Sequence, residues 1–354
     1  MATRSSGNRL ERGEARKLWD ADLLYLGAAA DAVRRRLNPG TRVTFVVDRN
    51  INYTNICLSG CRFCAFYRVP GAKDGYVLDQ AALEGKLKEL INHGGSGVLL
   101  QGGLNPDLPF KYYEDLLETI RRAGLKAHAF SPPEIIFLAR KFKLSLKEIL
   151  SRFIRAGLSS IPGGGAEILV ERVRRRISPG KCTAGEWLEV MEAAHNLGLK
   201  TSATMMFGHI ETREERLSHL FKIRDLQDKT GGFSAFIPWT FQPGGTALGG
   251  GGAGAAEYLR TLAVSRLVLD NVPHLQVSWV TQGPKIAQVA LKFGADDFGS
   301  TMLEENVVAA TGVGYRLSRE EIESIIKEAG YQPEVRDHQY ELEGDSGGGR
   351  GSFL

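Results

Sequence analysis

The chain has 354 residues, 43% of them hydrophobic and 24% charged, with a net charge of +4. That profile describes a globular protein with an extensive core and excludes a largely disordered chain, while the basic excess is too small to argue for nucleic acid. No run of about 18 apolar residues offers a membrane span, and the N-terminal stretch "MATRSSGNRLERGEARKLWD" lacks the apolar centre of a signal peptide, so the expected location is the cytoplasm.

In chain order, residues 9–37 read as a helical stretch whose leucines and alanines pack against the body of the fold. Short apolar runs then alternate with amphipathic segments: "RVTFVV", "SGVLLQGG", "LKAHAF", "SSIPGGG", "KTSATMMFG", "FSAFIPWTF", "LQVSWVTQG" and "ADDFGST". A helix fits between most pairs. One is "EWLEVMEAAHNLGL", with Trp187, Val190, Met191 and Ala194 on one face and Gly198 as its C-terminal cap; another is "REERLSHLFKIRDLQ", with Leu217, Leu220 and Phe221 together. Apolar strands each followed by a helix predict an α/β fold, a (β/α)8 TIM-type barrel in preference to an open doubly wound sheet. The expected organisation is an N-terminal helical extension at 1–42 packed on the barrel, the barrel at 43–315, a short helix plus extended segment at 316–340, and a disordered glycine- and serine-rich tail at 341–354. The run "GGTALGGGGAGA", residues 244–255, is expected to be a mobile loop on the face where barrels keep their active sites.

The stretch "NYTNICLSGCRFCAFYR" holds Cys57, Cys61 and Cys64 in the spacing C-x3-C-x2-C, directly after the first predicted strand; the fourth cysteine, Cys182, is far away. Structural zinc wants four protein ligands in paired knuckles, and a second knuckle is missing. A disulfide with one thiol left over suits a reducing compartment poorly. The remaining reading is a four-iron cluster with three irons on cysteine and one open to an exogenous ligand. Cys182 reads as a buried free thiol. The arginine-rich "ERVRRRISPGK", residues 171–181, reads as a solvated helix face, so no nucleic acid partner is expected. A zinc-structured, non-catalytic binding protein stands as the alternative from another class.

Cys57, Cys61, Phe63 and Cys64 fit C-x3-C-x-Φ-C with Φ aromatic, and in this the chain resembles the radical S-adenosylmethionine (SAM) superfamily. The resemblance implies a 4Fe-4S cluster on Cys57, Cys61 and Cys64, SAM on the fourth iron, and reductive cleavage to methionine and a 5'-deoxyadenosyl radical. It also implies an electron donor such as flavodoxin or ferredoxin. Implied cofactor contacts are Phe63 and Tyr67 beside the cluster, then Gln101, Gly102 and Gly103 in "LLQGG" for the methionine amine. Glu167, after the run Gly163 to Gly165, and Thr204 and Gly208 in "TMMFGHIE" complete the set; Thr204 replaces the first glycine of the pattern G-x-I-x-G-x-x-E, whose Glu211 reads as a turn stabiliser.

From about residue 10 to 340, stretches such as "DRNINYTN", "CRFCAFYR", "IPGGGAEIL", "FIPWTFQPGGTAL" and "GADDFGSTMLEENV" are similar to the cyclic dehypoxanthine futalosine synthases of the futalosine route to menaquinone. One departure is Gly245, where that family has asparagine. The implied reaction takes hydrogen from the ribose 4' carbon of dehypoxanthine futalosine. The carbon radical then attacks the benzoate ring to give a spiro bicycle, and an electron and a proton leave. Aminofutalosine synthase and the deazaflavin-chromophore synthase subunit share the cysteine loop and barrel and are the nearest alternatives. For the substrate, Arg68 and Lys285 are candidate benzoate partners, Ser131 and Glu134 candidate polar contacts, and Trp239 and Phe241 candidate stacking surfaces. His128, His209 and Asp297 are candidate proton acceptors.

Overall fold

The computed structural model describes residues 9–343. Its strands are β1 (Arg42–Val46), β2 (Asp48–Asn52), β3 (Gly97–Gln101), β4 (Lys126–Ala129), β5 (Leu158–Ile161), β6 (Lys200–Phe207), β7 (Phe233–Thr240), β8 (His274–Leu275), β9 (Asp297–Ser300) and β10 (Gln332–Val335). Strands β2 to β8 form one parallel sheet in chain order. A bridge from Gln276 to Asp297 carries that sheet on to β9, with Val277 N–H donating to Asp297 O at 2.9 Å, and β9 pairs in parallel with β1. Because β1 runs on into β2, the ring closes, and the α/β TIM-type barrel read from the sequence is the fold.

Two strands differ from the reading. The first predicted strand is split at Val47 because its partner changes there: Arg336 N–H donates to Phe45 O at 2.8 Å, whereas Ser96 N–H donates to Val47 O. The run "LQVSWVTQG" contributes only Leu275 to β8, together with the Gln276 bridge beyond it. Its second half turns into a short helix, Trp279–Gln282, since Gly283 (φ +79) and Pro284 start another helix directly behind it.

The helices follow their periodicity. Trp187, Val190, Met191 and Ala194 are all fully buried on helix Ala184–Asn196, which Thr183 caps at the start and Gly198, at φ +84, follows at the end. Leu217 and Leu220 are buried on helix Arg213–Thr230, while Phe221 is half-buried beneath the guanidinium of Arg224 at 4.3 Å. Helix Leu23–Leu37 lies on helix Ala255–Val268 and buries Leu26 and Ala30. Among the described residues no helix is long and apolar enough to cross a membrane.

After helix Arg319–Glu328, β10 adds to β1 and the chain passes beneath the barrel, where Arg336, His338 and Tyr340 face its interior. Glu343 N–H still donates to Val335 O at 3.0 Å; the rest of the tail expected at 341–354 lies outside the described residues. Above this floor the barrel encloses a cavity of about 270 Å³ that reaches up to Gln101 and Trp239.

Candidate active site

The cysteine loop leaves β2 at the end of the strand where barrels keep their chemistry, and its own polar groups hold it rigid. Thr54 Oγ1 donates to Tyr76 O at 2.6 Å and Asn55 Nδ2 to Asp74 O at 3.0 Å, while Cys57 N–H donates to Arg68 O at 2.8 Å. Cys57 and Cys61 are buried and Cys64 is half-buried. The Ser59 hydroxyl lies 2.9 Å from Cys57 Sγ and 3.3 Å from Cys61 Sγ, and Leu104 N–H donates to Cys57 Sγ at 3.2 Å. Donors aimed at sulfur stabilise thiolate, the form that binds iron. Burial pushes the Cys61 thiol up to about 11 and Cys64 upward too, so in the metal-free chain both stay protonated and metal must displace the proton. Among the described residues no three His, Cys, Asp or Glu side chains gather tightly enough for a single metal ion, the geometry a zinc knuckle needs. A four-iron cluster gives each thiolate its own iron, so the three sulfurs fit that group without converging.

The glycines beside the loop are there for close approach. A Cβ on Gly103 would stand 2.2 Å from Ile56 O, and one on Gly102 would stand 2.4 Å from the Tyr53 ring. Behind them Glu134 ties three segments together. One of its oxygens accepts from Tyr53 OH at 2.7 Å and Gly102 N–H at 3.0 Å, the other from Ser131 N–H at 2.7 Å. Across the cavity mouth Glu167, buried and at φ +43, accepts from Lys181 Nζ at 2.6 Å, and Lys181 lies 5.0 Å over the Phe63 ring. Burial works against the lysine's charge, but negative charge on Cys61 when it is thiolate, on Glu167 and on Cys64 holds its pKa above the usual lysine range.

A model described as the radical SAM superfamily matches residues 51–223, and one described as the CofH/MqnC C-terminal region matches 230–346. Over 95% of its length the chain is 45% identical to cyclic dehypoxanthine futalosine synthases of Halalkalibacterium halodurans and Streptomyces coelicolor, covering 92% and 86% of those proteins. The chain belongs to the radical SAM superfamily. An aminodeoxyfutalosine synthase of Thermus thermophilus is 40% identical over 94% of this chain and 92% of its own. The crystal structure of methylornithine synthase shares the fold, with TM-score 0.74, 19% identity, and coverage of 92% of this chain and 95% of that one. A radical SAM enzyme therefore carries the three cysteines, and its superfamily implies a 4Fe-4S cluster and SAM as cofactors.

Around this radical SAM centre the structure gathers some of the residues picked out from the sequence and leaves others apart. Gln101, Glu167, Thr204, His128 and Trp239 line the cavity. Phe63 and half-buried Tyr67 stay in the cysteine loop, and Gly102, Gly103, Ser131 and Glu134 stand directly behind the cavity wall. Arg68 turns away to pair with Asp74 at 2.5 Å, and Lys285 is exposed. Phe241 is buried against the His209 ring at 6.2 Å, and Trp239, two residues earlier, faces the cavity. Both nitrogens of His209 are engaged: Nδ1 lies 2.7 Å from Ile210 N and 3.0 Å from Glu211 Oε2, and Nε2 meets Met206 O at 3.0 Å. His128, with Nδ1 2.6 Å from Ser160 Oγ, is held neutral by burial, which drives its pKa well below the usual value. Asp297 sits on the floor, both oxygens bound to Arg336. Lys181 was missed because its sequence neighbourhood reads as a basic surface run; the clue was Gly180, whose Cβ would stand 2.6 Å from Ser59 O. Gly245 takes φ +66, a conformation that asparagine also tolerates, so the asparagine expected at this position from the resemblance would fit the same backbone.

Glu211 closes the turn after β6, accepting from Gly208 N–H at 2.7 Å and from Arg216 Nη2 at 2.7 Å. Against the penalty of burial, His209 and Arg216 hold its carboxyl down from 4.5 to about 2. A depressed folded value means stability present above the unfolded value and lost as pH falls toward the folded one. Glu211→Gln should therefore cost on the order of 3 kcal/mol at neutral pH, at about 1.4 kcal/mol per pKa unit. Urea melts of the two proteins should converge as pH falls from about 5 toward 2.

Proposed function

We propose that this radical SAM enzyme oxidatively cyclises dehypoxanthine futalosine to cyclic dehypoxanthine futalosine in menaquinone biosynthesis. The observation that carries the proposal is identity of 45% over nearly the whole chain with two synthases of that name, ahead of 40% with aminodeoxyfutalosine synthase.

In this reading Cys57, Cys61 and Cys64 hold the cluster, and SAM lies between "LLQGG" and the Glu167–Lys181 pair. Bound there, the two supply a 5'-deoxyadenosyl radical inside a closed barrel. The chain's own residues do the rest. The rigid cysteine loop and Glu134, through Gly102, fix where the SAM amine sits. Trp239 offers its indole to an aromatic ring from the cavity wall. Among the groups lining the cavity, Asn50 Oδ1 and Tyr340 OH are buried without a hydrogen-bond partner, and the Gln276 side-chain amide makes no hydrogen bond among the described residues. Asn50 suits a sugar hydroxyl, and Gln276 suits a carboxylate, because the guanidinium on the cavity wall, Arg336, is neutralised by Asp297. Water exclusion by this enclosure keeps a carbon radical on its intramolecular course.

The test is anaerobic turnover of the reconstituted enzyme with SAM, dithionite and dehypoxanthine futalosine, read by mass spectrometry. The expected result is 5'-deoxyadenosine with a product lighter by two hydrogen atoms. Deoxyadenosine without that product would move the assignment to a sister reaction such as aminodeoxyfutalosine synthesis.

A further inference from the structure

Whatever the substrate, radical SAM chemistry begins with one electron delivered from outside the chain, and one surface of this protein lies over the point of delivery. Cys61 is buried, but Arg62, next in the chain, is exposed. Arg62 N–H donates to Ile177 O at 2.8 Å and Gly180 N–H to Ser59 O at 3.1 Å, so residues 177–180 lie directly against the cysteine loop. Helix Glu171–Ile177 buries Val173, Arg174 and Ile177, which turns Arg175 and Arg176 to solvent. Arg172 and Lys181 are paired, with Glu215 and Glu167. The side chains of Arg62, Arg175 and Arg176 make no ion pair or hydrogen bond among the described residues. No aspartate or glutamate occurs in residues 54–73 or 172–185, so nothing within either segment cancels these charges. The same loop exposes two apolar side chains, Leu58 at 52% beside Cys57 and Val69 at 59% beside Arg68, whose carbonyl holds Cys57.

We propose that this face, formed by the cysteine loop with exposed Arg62, Leu58 and Val69 and by the adjoining helix with free Arg175 and Arg176, docks a small acidic one-electron carrier protein. Redox encounters use small, weak interfaces, and complementary charge sets their on-rate more than their lifetime. Unpaired arginines beside the cysteine loop provide the steering, and the exposed Leu58 and Val69 give apolar surface that can be desolvated once the carrier arrives. The carrier's reduced cofactor loses one electron and the cluster gains it; no bond or proton moves. The proposal rests on the superfamily assignment and not on the substrate reading, so the two fail separately.

The experiment uses the full chain, the variant R175E/R176E, and a charge-matched control, R36E/K147E, whose arginine and lysine are exposed elsewhere. Affinity for reduced flavodoxin is measured by calorimetry on the metal-free chain over a salt series. The rate of cluster reduction is measured on reconstituted protein with flavodoxin and with dithionite. The expected result is at least a tenfold loss of affinity and of flavodoxin-driven rate for R175E/R176E at low salt, shrinking as salt rises, with the dithionite rate and the control unchanged. Equal losses in the control, or a parallel loss with dithionite, would overturn the proposal, the latter by making the helix a mere support of the loop. Unchanged flavodoxin binding alongside lost, salt-sensitive retention of transfer RNA would overturn it in favour of an RNA face.

Discussion

Cys61→Ala abolishes the cluster: the reconstituted variant should be colourless, low in iron, and at least roughly 100-fold slower in forming 5'-deoxyadenosine, since losing a direct ligand exceeds the 10–100-fold cost typical of outer-shell changes. Three thiolates are the minimum for a four-iron cluster with one open iron, and Cys61 is the most enclosed of them, at 3% exposure. The neighbouring Ser59 hydroxyl, 3.3 Å from Cys61 Sγ, is too hard a ligand to take its place on iron. Cys182→Ala is the matched control. That thiol is also buried, but it contacts Arg174 Nη2 at 3.8 Å and not the loop, and it is the main-chain oxygen of Cys182 that anchors the same guanidinium at 3.1 Å from Nε. The control should keep its colour and lose about 1 kcal/mol of stability. Iron content and deoxyadenosine yield, measured side by side, separate the two cysteines; equal losses would mean that the three-cysteine site is misassigned.

The cysteines were legible because ligand chemistry is written in local spacing, and the helix faces because Trp187, Val190, Met191 and Ala194 repeat with the period of one turn. What was not legible depends on partners distant in the chain. Lys181 meets Glu167 and Phe63 only after the barrel brings three loops to one rim. Glu134 reads as a polar rim residue, yet its oxygens are spent on Tyr53, Gly102 and Ser131. The apolar run of the seventh predicted strand carries no signal for where its hydrogen bonding stops, because Val277 and Trp279 suit strand and buried helix equally. Asp297 looked available as a base from its place near the end of the barrel, and the residue that occupies it, Arg336, belongs to the extended segment expected within 316–340, which carries no sequence signal for its partner.

That pair supplies the second large effect, Arg336→Met. The guanidinium is buried, with Nη2 donating to Asp297 Oδ1 at 2.8 Å, and it lies 3.9 Å from the Tyr340 ring centre. Asp297 also accepts from Gly299 N–H at 2.9 Å and is fully buried. Removing only the cation strands a carboxylate away from water, which costs about 3–5 kcal/mol. Nearby Asp48 adds to the deficit: burial already raises its carboxyl to about 6, and the attraction of Arg336 is among the forces restraining that rise. A raised folded value means stability lost as pH climbs through it, so the Asp48 share of the variant's deficit should be largest above pH 6 and shrink as Asp48 takes its proton below it. Arg336→Met/Asp297→Leu, which removes both charges, should regain most of the stability, because a hydrophobic replacement of a whole buried pair is often neutral or better. Urea midpoints of the two variants decide it: equal losses would mean that Arg336 holds the floor through its contacts with Tyr340 and the main chain, and not through its charge.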